Sequence, residues 1–115
     1  MGAVAPSTQE ALSALSIGDG NALAAMIGIR EEYQAGTGLD SRTFALVKIA
    51  ALIAIESPPA SYAWQIANAL EEGATPEDIL GVLRAVAPQV GGPRVVSAAP
   101  EIMLALGLAL PEGVE

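Results

Sequence analysis

The stretch LDSRTFALVKIAALIAI occupies positions 39–55 of the chain. Asp40 or Ser41 offers a side-chain oxygen that can cap the first turn of a helix. From Phe44 to Ile55 almost every residue is aliphatic, and the run is interrupted only by Lys48. A helix that is apolar nearly all round is typical of one surrounded by other helices. The segment therefore predicts a buried core helix in an all-α domain.

The remaining sequence predicts further helices, each bounded by a cap, a proline or a glycine. The expected helices run from Thr8 to Leu15 with Ser7 or Thr8 as cap, over 21–35, over 57–72 with Ser57 as cap and Pro58 at its first position, from the Thr75-Pro76-Glu77-Asp78 cap onwards, and over 93–108. Pro100 is expected to bend or divide the last helix. No segment alternates with period two over a useful length, so no strand is predicted. The prediction is an all-α bundle of five to six short helices.

The length and composition predict one oligomer-forming domain. At 115 residues the chain is expected to form a single domain over 1–115, with 1–7 as a loose tail. Its apolar residues are mostly alanine and leucine, which require helices that approach closely. In so short a chain, some of that apolar surface is expected to be buried in a homo-oligomer.

Several classes of function are disfavoured by charge and by missing residue types. The formal net charge is −8, and the five basic residues are scattered, so neither nucleic acid nor an anionic membrane surface is an expected partner. The chain has no cysteine and no histidine, which removes thiolate nucleophiles and the commonest metal ligand. No cofactor and no metal are therefore expected. The N-terminus lacks signal-peptide features and no apolar run can span a bilayer, so the expected location is cytoplasmic.

Three motifs follow one another at characteristic intervals. They are Leu39-Asp40-Ser41-Arg42-Thr43, the segment ALEEGATPEDI at 69–79, and Gly91-Gly92-Pro93. This ordered series, between Leu39 and Leu108, resembles the carboxymuconolactone decarboxylase/alkylhydroperoxidase family. The resemblance implies an all-α fold and homo-oligomers, commonly trimers or hexamers.

The resemblance also implies where the family's site would lie. In the peroxidase branch, a CxxC pair and a histidine four residues later occupy the helix before the Gly-Ala-Thr motif. Pro58 and Ser61 stand at the cysteine positions, Gln65 stands at the histidine position, and Ala45 stands near the relay glutamate. Thiol-dependent reduction of hydroperoxides needs an attacking thiolate and a resolving thiol, so this activity is not expected here. The lactone-decarboxylase branch does not use the cysteines, but its site resembles a histidine-dependent one, and histidine is absent.

Lys48 and Glu56 are the charged candidates on the central helix. A desolvated lysine at position 48 can bind a substrate carboxylate, act as a base or form a Schiff base. Alternatively, it reaches the surface or pairs with Glu56 or another acid. Glu56 can act as a general acid or base, or it can be an ordinary charged residue at a helix junction.

The polar candidates on the next helix are Ser61, Tyr62 and Gln65. Ser61 and Gln65 are four residues apart, so they share a face and can bind one ligand. As a nucleophile Ser61 has only Lys48 as an activator, and these polar residues can equally be the remains of a lost site. Tyr62 is a ligand-binding candidate or a packing residue. Arg94 is a candidate clamp for an anion, or a partner in a surface salt bridge.

Two functions remain open. The first is a non-redox enzyme or binding protein that accepts a small organic acid or lactone. Its pocket is expected between the two central helices, with a polar lining of Lys48, Ser61 and Gln65, to which Glu56 can be added. The alternative is a catalytically silent oligomeric scaffold or interaction protein whose pocket is filled by its own side chains.

Overall fold

The structure is a computed structural model that describes residues 3–22 and 30–114, apart from the side chains of 30–33. The helices in these ranges are α1 (Pro6–Ser16), α2 (Arg30–Thr37), α3 (Ser41–Ile55), α4 (Pro59–Glu71), α5 (Pro76–Val90) and α6 (Gly92–Ala105). Residues 20–22 are also helical. No strand occurs in these ranges, which confirms the predicted all-α fold. The chain divides into two compact units, Met1–Gly38 and Leu39–Glu115, and every candidate residue belongs to the second.

In the first unit, α1 begins two residues before the predicted position. Pro6 occupies its first turn and Ala5 precedes it without a side-chain cap, so the prediction of Ser7 or Thr8 as cap is wrong. The physical reason is that proline already has the backbone angle of a helix and lacks an N–H that would need a partner. Of the helix expected over 21–35, residues 23–29 lie outside the described ranges. α2 ends at Thr37, before Gly38 with its positive φ of 71°.

The central helix α3 has the predicted start and end. The Asp40 carboxylate accepts a hydrogen bond of 2.7 Å from the Thr43 N–H, which confirms the cap. The side chains of Ala45, Ile49 and Ile53 are fully buried. The opposite side is left open by the described part of the chain, because Val47 is 53% exposed and Ile55 is 72% exposed. The expectation that other helices surround α3 is therefore wrong for this side.

The start of α4 differs from the prediction because two prolines follow one another there. Pro58 is the residue before the helix and Pro59 is in its first turn, with no side-chain cap, so Ser57 is not the cap. A residue that precedes a proline is disfavoured in the α conformation, and Pro58 precedes Pro59. The helix consequently begins one position later than the first proline suggests.

The start of α5 confirms the predicted cap. The Thr75 hydroxyl accepts from the Asp78 N–H at 3.1 Å, and the Asp78 carboxylate accepts from the Thr75 N–H at 2.9 Å. Asp78 also forms an ion pair of 2.7 Å with Arg42, which joins the first turns of α3 and α5. The hydrogen bond from the Thr75 backbone and the Arg42 guanidinium hold the pKa of Asp78 below its ordinary value. α6 continues through Pro100, so that proline does not divide the helix.

The second unit is held together by an aliphatic core. α3 packs against α4 and α5, and α6 packs against both α4 and α5. The largest fully buried side chains are Ile49, Ile53, Ile66 and Ile79. Burial of one such side chain is worth about 1.5–3 kcal/mol. This core fixes α4 between α3 and α6, and two faces of α4 carry the polar features described next.

Candidate functional site

A polar cleft of about 280 Å³ lies where the α3–α4 turn meets α6. Besides the hydroxyl residue Ser57, its ionisable and hydroxyl groups are contributed by five residues, which are Glu56, Tyr62, Arg94, Ser97 and Glu101. Three of them, Glu56, Tyr62 and Arg94, are candidates predicted from the sequence. We refer to these five residues and the space between them as the polar cleft.

Glu56 reaches the polar cleft from the end of α3. Its backbone is left-handed, with φ 53° and ψ 56°, and its N–H is bonded to the carbonyl of Ile53. For a residue with a side chain this conformation costs roughly 1–2 kcal/mol relative to the right-handed one. It ends α3 and redirects the chain into α4, and it leaves the Glu56 carboxylate exposed at the edge of the cleft.

Tyr62 is the buried member of the polar cleft. Its side chain is only 2% exposed, and no hydrogen bond to its hydroxyl is present within the described part of the chain. Burial raises the pKa of the phenol above its ordinary value of 10.0, and the negative charges of Glu101 and Glu56 raise it further. The phenol therefore carries its proton at neutral pH and acts as a hydrogen-bond donor rather than as a nucleophile.

Arg94, Ser97 and Glu101 lie on one face of α6, since residues three and seven apart are neighbours on a helix. The Arg94 Nη1 atom donates a hydrogen bond of 3.3 Å to the carbonyl of Val90. Within the described ranges, Arg94 has no ion pair with either carboxylate of the cleft. Ser97 and Glu101 were missed in the sequence, although their spacing from Arg94 is the signal that identifies them.

A second polar feature lies on α4 and consists of Ser61, Gln65 and Asn68. We call these three residues the amide stripe. Their spacing of four and three residues places them on one face of the helix. Asn68 is 5% exposed, and among the described residues neither of its amide atoms has a hydrogen-bond partner; the buried Oε1 atom of Gln65 has none there either. An unsatisfied buried polar group costs about 1–3 kcal/mol. Asn68 was not singled out from the sequence, although it lies three residues after Gln65.

The amide stripe and the polar cleft lie on adjoining faces of α4. Ala60 and Ala63 of α4 share a shallow cavity with Leu104 of α6, so they mark the side that faces α6. With 100° between successive residues, Ser61 and Asn68 lie about 100° and 120° around the helix from Tyr62 of the cleft, and Gln65 lies about 60° from it. Neither Ser61 nor Gln65 lines the polar cleft.

Lys48 also lies outside the lining of the polar cleft. Its side chain is half-buried, and its Nζ atom is 4.9 Å from the centre of the Phe44 ring, the geometry of a cation–π contact. It forms no ion pair with Glu56, which is eight residues further on and hence about 12 Å along the helix. The structure thus brings Glu56, Tyr62 and Arg94 together in the polar cleft, and Lys48, Ser61 and Gln65 are not part of its lining.

A third cavity, of about 290 Å³, lies between α5 and α6. Its walls are aliphatic, with Leu80, Leu83 and Met103 among them, and Glu77 is its one charged residue. Binding sites usually combine apolar walls with several converging polar groups. The polar cleft meets this condition better.

Two further properties bear on the choice of site. In the described ranges, no group of three or more carboxylate, histidine or cysteine side chains is arranged to hold a metal ion. Among the helices within those ranges, none combines the length and the apolar character needed to cross a membrane.

Comparisons with known proteins identify the family. The model of the carboxymuconolactone decarboxylase family matches residues 21–102, which include α3, α4, α5 and most of α6. Searches of curated proteins and of solved structures gave no match. The family match covers most of the 115 residues and all five residues of the polar cleft. The chain therefore belongs to the carboxymuconolactone decarboxylase family.

Proposed function

We propose that the protein binds a small organic acid or lactone in the polar cleft, and that it has no thiol-dependent peroxidase activity. The observation that supports this best is the convergence of Arg94, the protonated Tyr62 and two carboxylates in one cavity. Arg94 and Tyr62 donate hydrogen bonds, and the two glutamates accept them. Such a set can orient an oxygen-rich molecule of a few carbon atoms.

The donors of the cleft suit a carboxylate or a lactone carbonyl. A guanidinium has five N–H donors, and the hydrogen bond to the Val90 carbonyl uses one N–H of Nη1. The remaining donors allow a bidentate contact with a ligand carboxylate. The Tyr62 hydroxyl supplies a neutral donor from the buried end of the cleft. Glu56 and Glu101 are placed to accept a proton from the bound molecule, which would make acid–base conversion of a lactone possible.

The absence of thiol chemistry follows from the residue inventory. The chain contains no cysteine, and Pro58 and Ser61 occupy the positions that resemble the family's cysteine pair. Neither side chain can attack a peroxide oxygen and then be resolved by a second thiol. We expect no consumption of hydroperoxide in the presence of a dithiol reductant. Turnover above the rate of the reductant alone would contradict this part of the proposal.

Ligand binding can be tested by NMR titration with butyrate and γ-butyrolactone. We expect amide shifts at Tyr62, Arg94 and Glu101, and we expect Arg94→Gln to weaken the binding of butyrate about tenfold or more. Arg84→Gln is the matched control, because Arg84 is an exposed arginine on α5 outside the cleft lining. Equal loss in both variants, or shifts confined to other residues, would contradict the assignment of the cleft.

A homo-oligomer, a trimer or hexamer, belongs to the same proposal. It is supported by the uncovered side of α3, where Val47 and Ile55 are exposed together with the small residues Ala51 and Ala54. Small side chains allow a second helix to approach closely. We expect Val47→Glu to shift the mass measured by light scattering towards the monomer, and the exposed Glu71→Gln to leave it unchanged.

A catalytically silent scaffold is the second candidate. It is favoured by Ala45, which stands near the family's relay position and is fully buried in the aliphatic core. For a scaffold, Arg94→Gln would leave every ligand titration unchanged, whereas Val47→Glu would still disrupt the assembly. The two substitutions therefore separate the candidates.

A further inference from the structure

The polar cleft is lined by one cationic and two anionic side chains, a set of charges that does not suit all small organic acids equally. We propose that its ligand is a zwitterion with a carboxylate at one end and an ammonium group at the other, held by Arg94 and by Glu101 with Glu56, respectively. This inference rests on the proposed function, because it names the ligand class of the same cleft.

The first argument is the charge balance of the lining. The charged residues of the cleft are Arg94, Glu56 and Glu101, which sum to −1 at neutral pH in a chain of net charge −8. A simple carboxylate bound at Arg94 is attracted by one guanidinium and repelled by two carboxylates. An ammonium group on the same molecule turns that repulsion into attraction.

The second argument is that these charges do not neutralise one another. Within the described ranges, neither Glu56 nor Glu101 forms an ion pair with Arg94, and the only internal bond of Arg94 is to the Val90 carbonyl. Glu101 is half-buried, and Glu56 and Arg94 are exposed. Charged groups that are not paired with one another are available to a ligand that carries the complementary charges.

The third argument concerns spacing and volume. Arg94 and Glu101 are seven residues apart on α6, which is about 10 Å along its axis. A ligand whose two charged ends are separated by a short chain can approach both, whereas one with adjacent charges favours only one end. The cavity of about 280 Å³ is near the lower limit of ordinary ligand pockets and suits a ligand of few atoms. Tyr62, buried and without a hydrogen-bond partner in the described part of the chain, adds a neutral donor beside the charged groups.

The test uses probes of equal chain length. The full chain is titrated by calorimetry with 4-aminobutyrate, butyrate and butylamine, which carry both charged ends, only the carboxylate or only the ammonium group, and with γ-butyrolactone, an uncharged cyclic ester. We expect 4-aminobutyrate to bind about tenfold or more tightly than butyrate and butylamine, since each charge-assisted hydrogen bond corresponds to roughly a factor of ten in the dissociation constant. Glycine, with adjacent charges, should bind more weakly than 4-aminobutyrate.

Variants assign the two ends of the ligand. Glu101→Gln should remove most of the preference for 4-aminobutyrate over butyrate, and Arg94→Gln should remove its preference over butylamine. Glu71→Gln, an exposed carboxylate on α4, is the matched control and should leave both preferences unchanged. Circular dichroism of each variant confirms that the helices remain folded.

The outcomes separate this inference from the function on which it rests. If butyrate or γ-butyrolactone binds at the cleft as tightly as 4-aminobutyrate, the zwitterion is wrong and the proposed function stands. If no four-carbon probe binds, or if binding is insensitive to Arg94→Gln, both are overturned. A preference for 4-aminobutyrate that survives Glu101→Gln and the double variant Glu56→Gln/Glu101→Gln also overturns the inference.

Discussion

The polar cleft and the amide stripe flank the same helix but differ in every property that matters for binding. The cleft gathers charges from the α3–α4 turn and from α6, together with the neutral Tyr62 of α4, around an open space. The amide stripe holds neutral groups from one helix, and its buried amide atoms have no hydrogen-bond partner among the described residues. Of the positions that the resemblance relates to the family's site, Ser61 and Gln65 belong to the stripe, whereas Pro58 lines the cleft. The comparison teaches that positions implied by a resemblance can fall on two different features of one helix, which the sequence alone does not separate.

Tyr62 belongs both to the core and to the polar cleft, so its truncation should have the largest effect on the free energy of unfolding. Tyr62→Ala should lower the free energy of unfolding by about 3–5 kcal/mol, because it removes a large buried ring. Tyr62→Phe keeps the ring and should cost far less. Urea denaturation measures both. Similar losses in the two variants would mean that the hydroxyl, rather than the ring, stabilises this region.

Replacement of Asn68 by an apolar residue should raise the free energy of unfolding rather than lower it. Asn68→Leu replaces two unpartnered buried amide atoms by an apolar group of similar size, and we expect it to raise the free energy of unfolding by about 1–3 kcal/mol. Ser61→Ala, in the half-buried part of the same stripe, should change the stability by less than about 0.5 kcal/mol. A loss of stability in Asn68→Leu would show that bound water or another molecule satisfies the Asn68 amide in solution.

The smallest expected effect is a change in the pKa of the Tyr62 phenol, which should separate a substitution in the polar cleft from one in the amide stripe. The pKa of Tyr62 is raised in the folded state, so its contribution to stability is present below the unfolded pKa and is lost as the pH rises above about 10. In a Tyr33→Phe background, ultraviolet titration of the remaining phenol should show a lower pKa in Glu101→Gln. Asn68→Leu, which changes no charge, should leave that pKa unchanged. An unchanged pKa in Glu101→Gln would separate Glu101 from the phenol.

The fold was predictable where the signals are local. Asp40 and Thr75 cap the helices that they were expected to cap, because a cap depends on three or four consecutive residues. The start of α4 was shifted, because two consecutive prolines compete for the same position and the first is constrained by the second.

The site was only partly predictable, for a reason of distance along the chain. Glu56 and Arg94 were recognised as charged residues near helix ends, but their proximity depends on the packing of α6 against α4. Glu101 lies 45 positions after Glu56, and no local pattern connects the two. The burial of Asn68 likewise depends on how α4 packs, whereas its amide looks ordinary in the sequence.

The left-handed backbone of Glu56 has a consequence for selection. Glycine adopts that conformation without the steric cost paid by a side chain, so a library varied at position 56 and selected for heat resistance alone should accumulate glycine. The same library selected for retention of a small zwitterion should keep glutamate. Different residues at position 56 in the two selected populations would show that this position balances thermal stability against ligand binding.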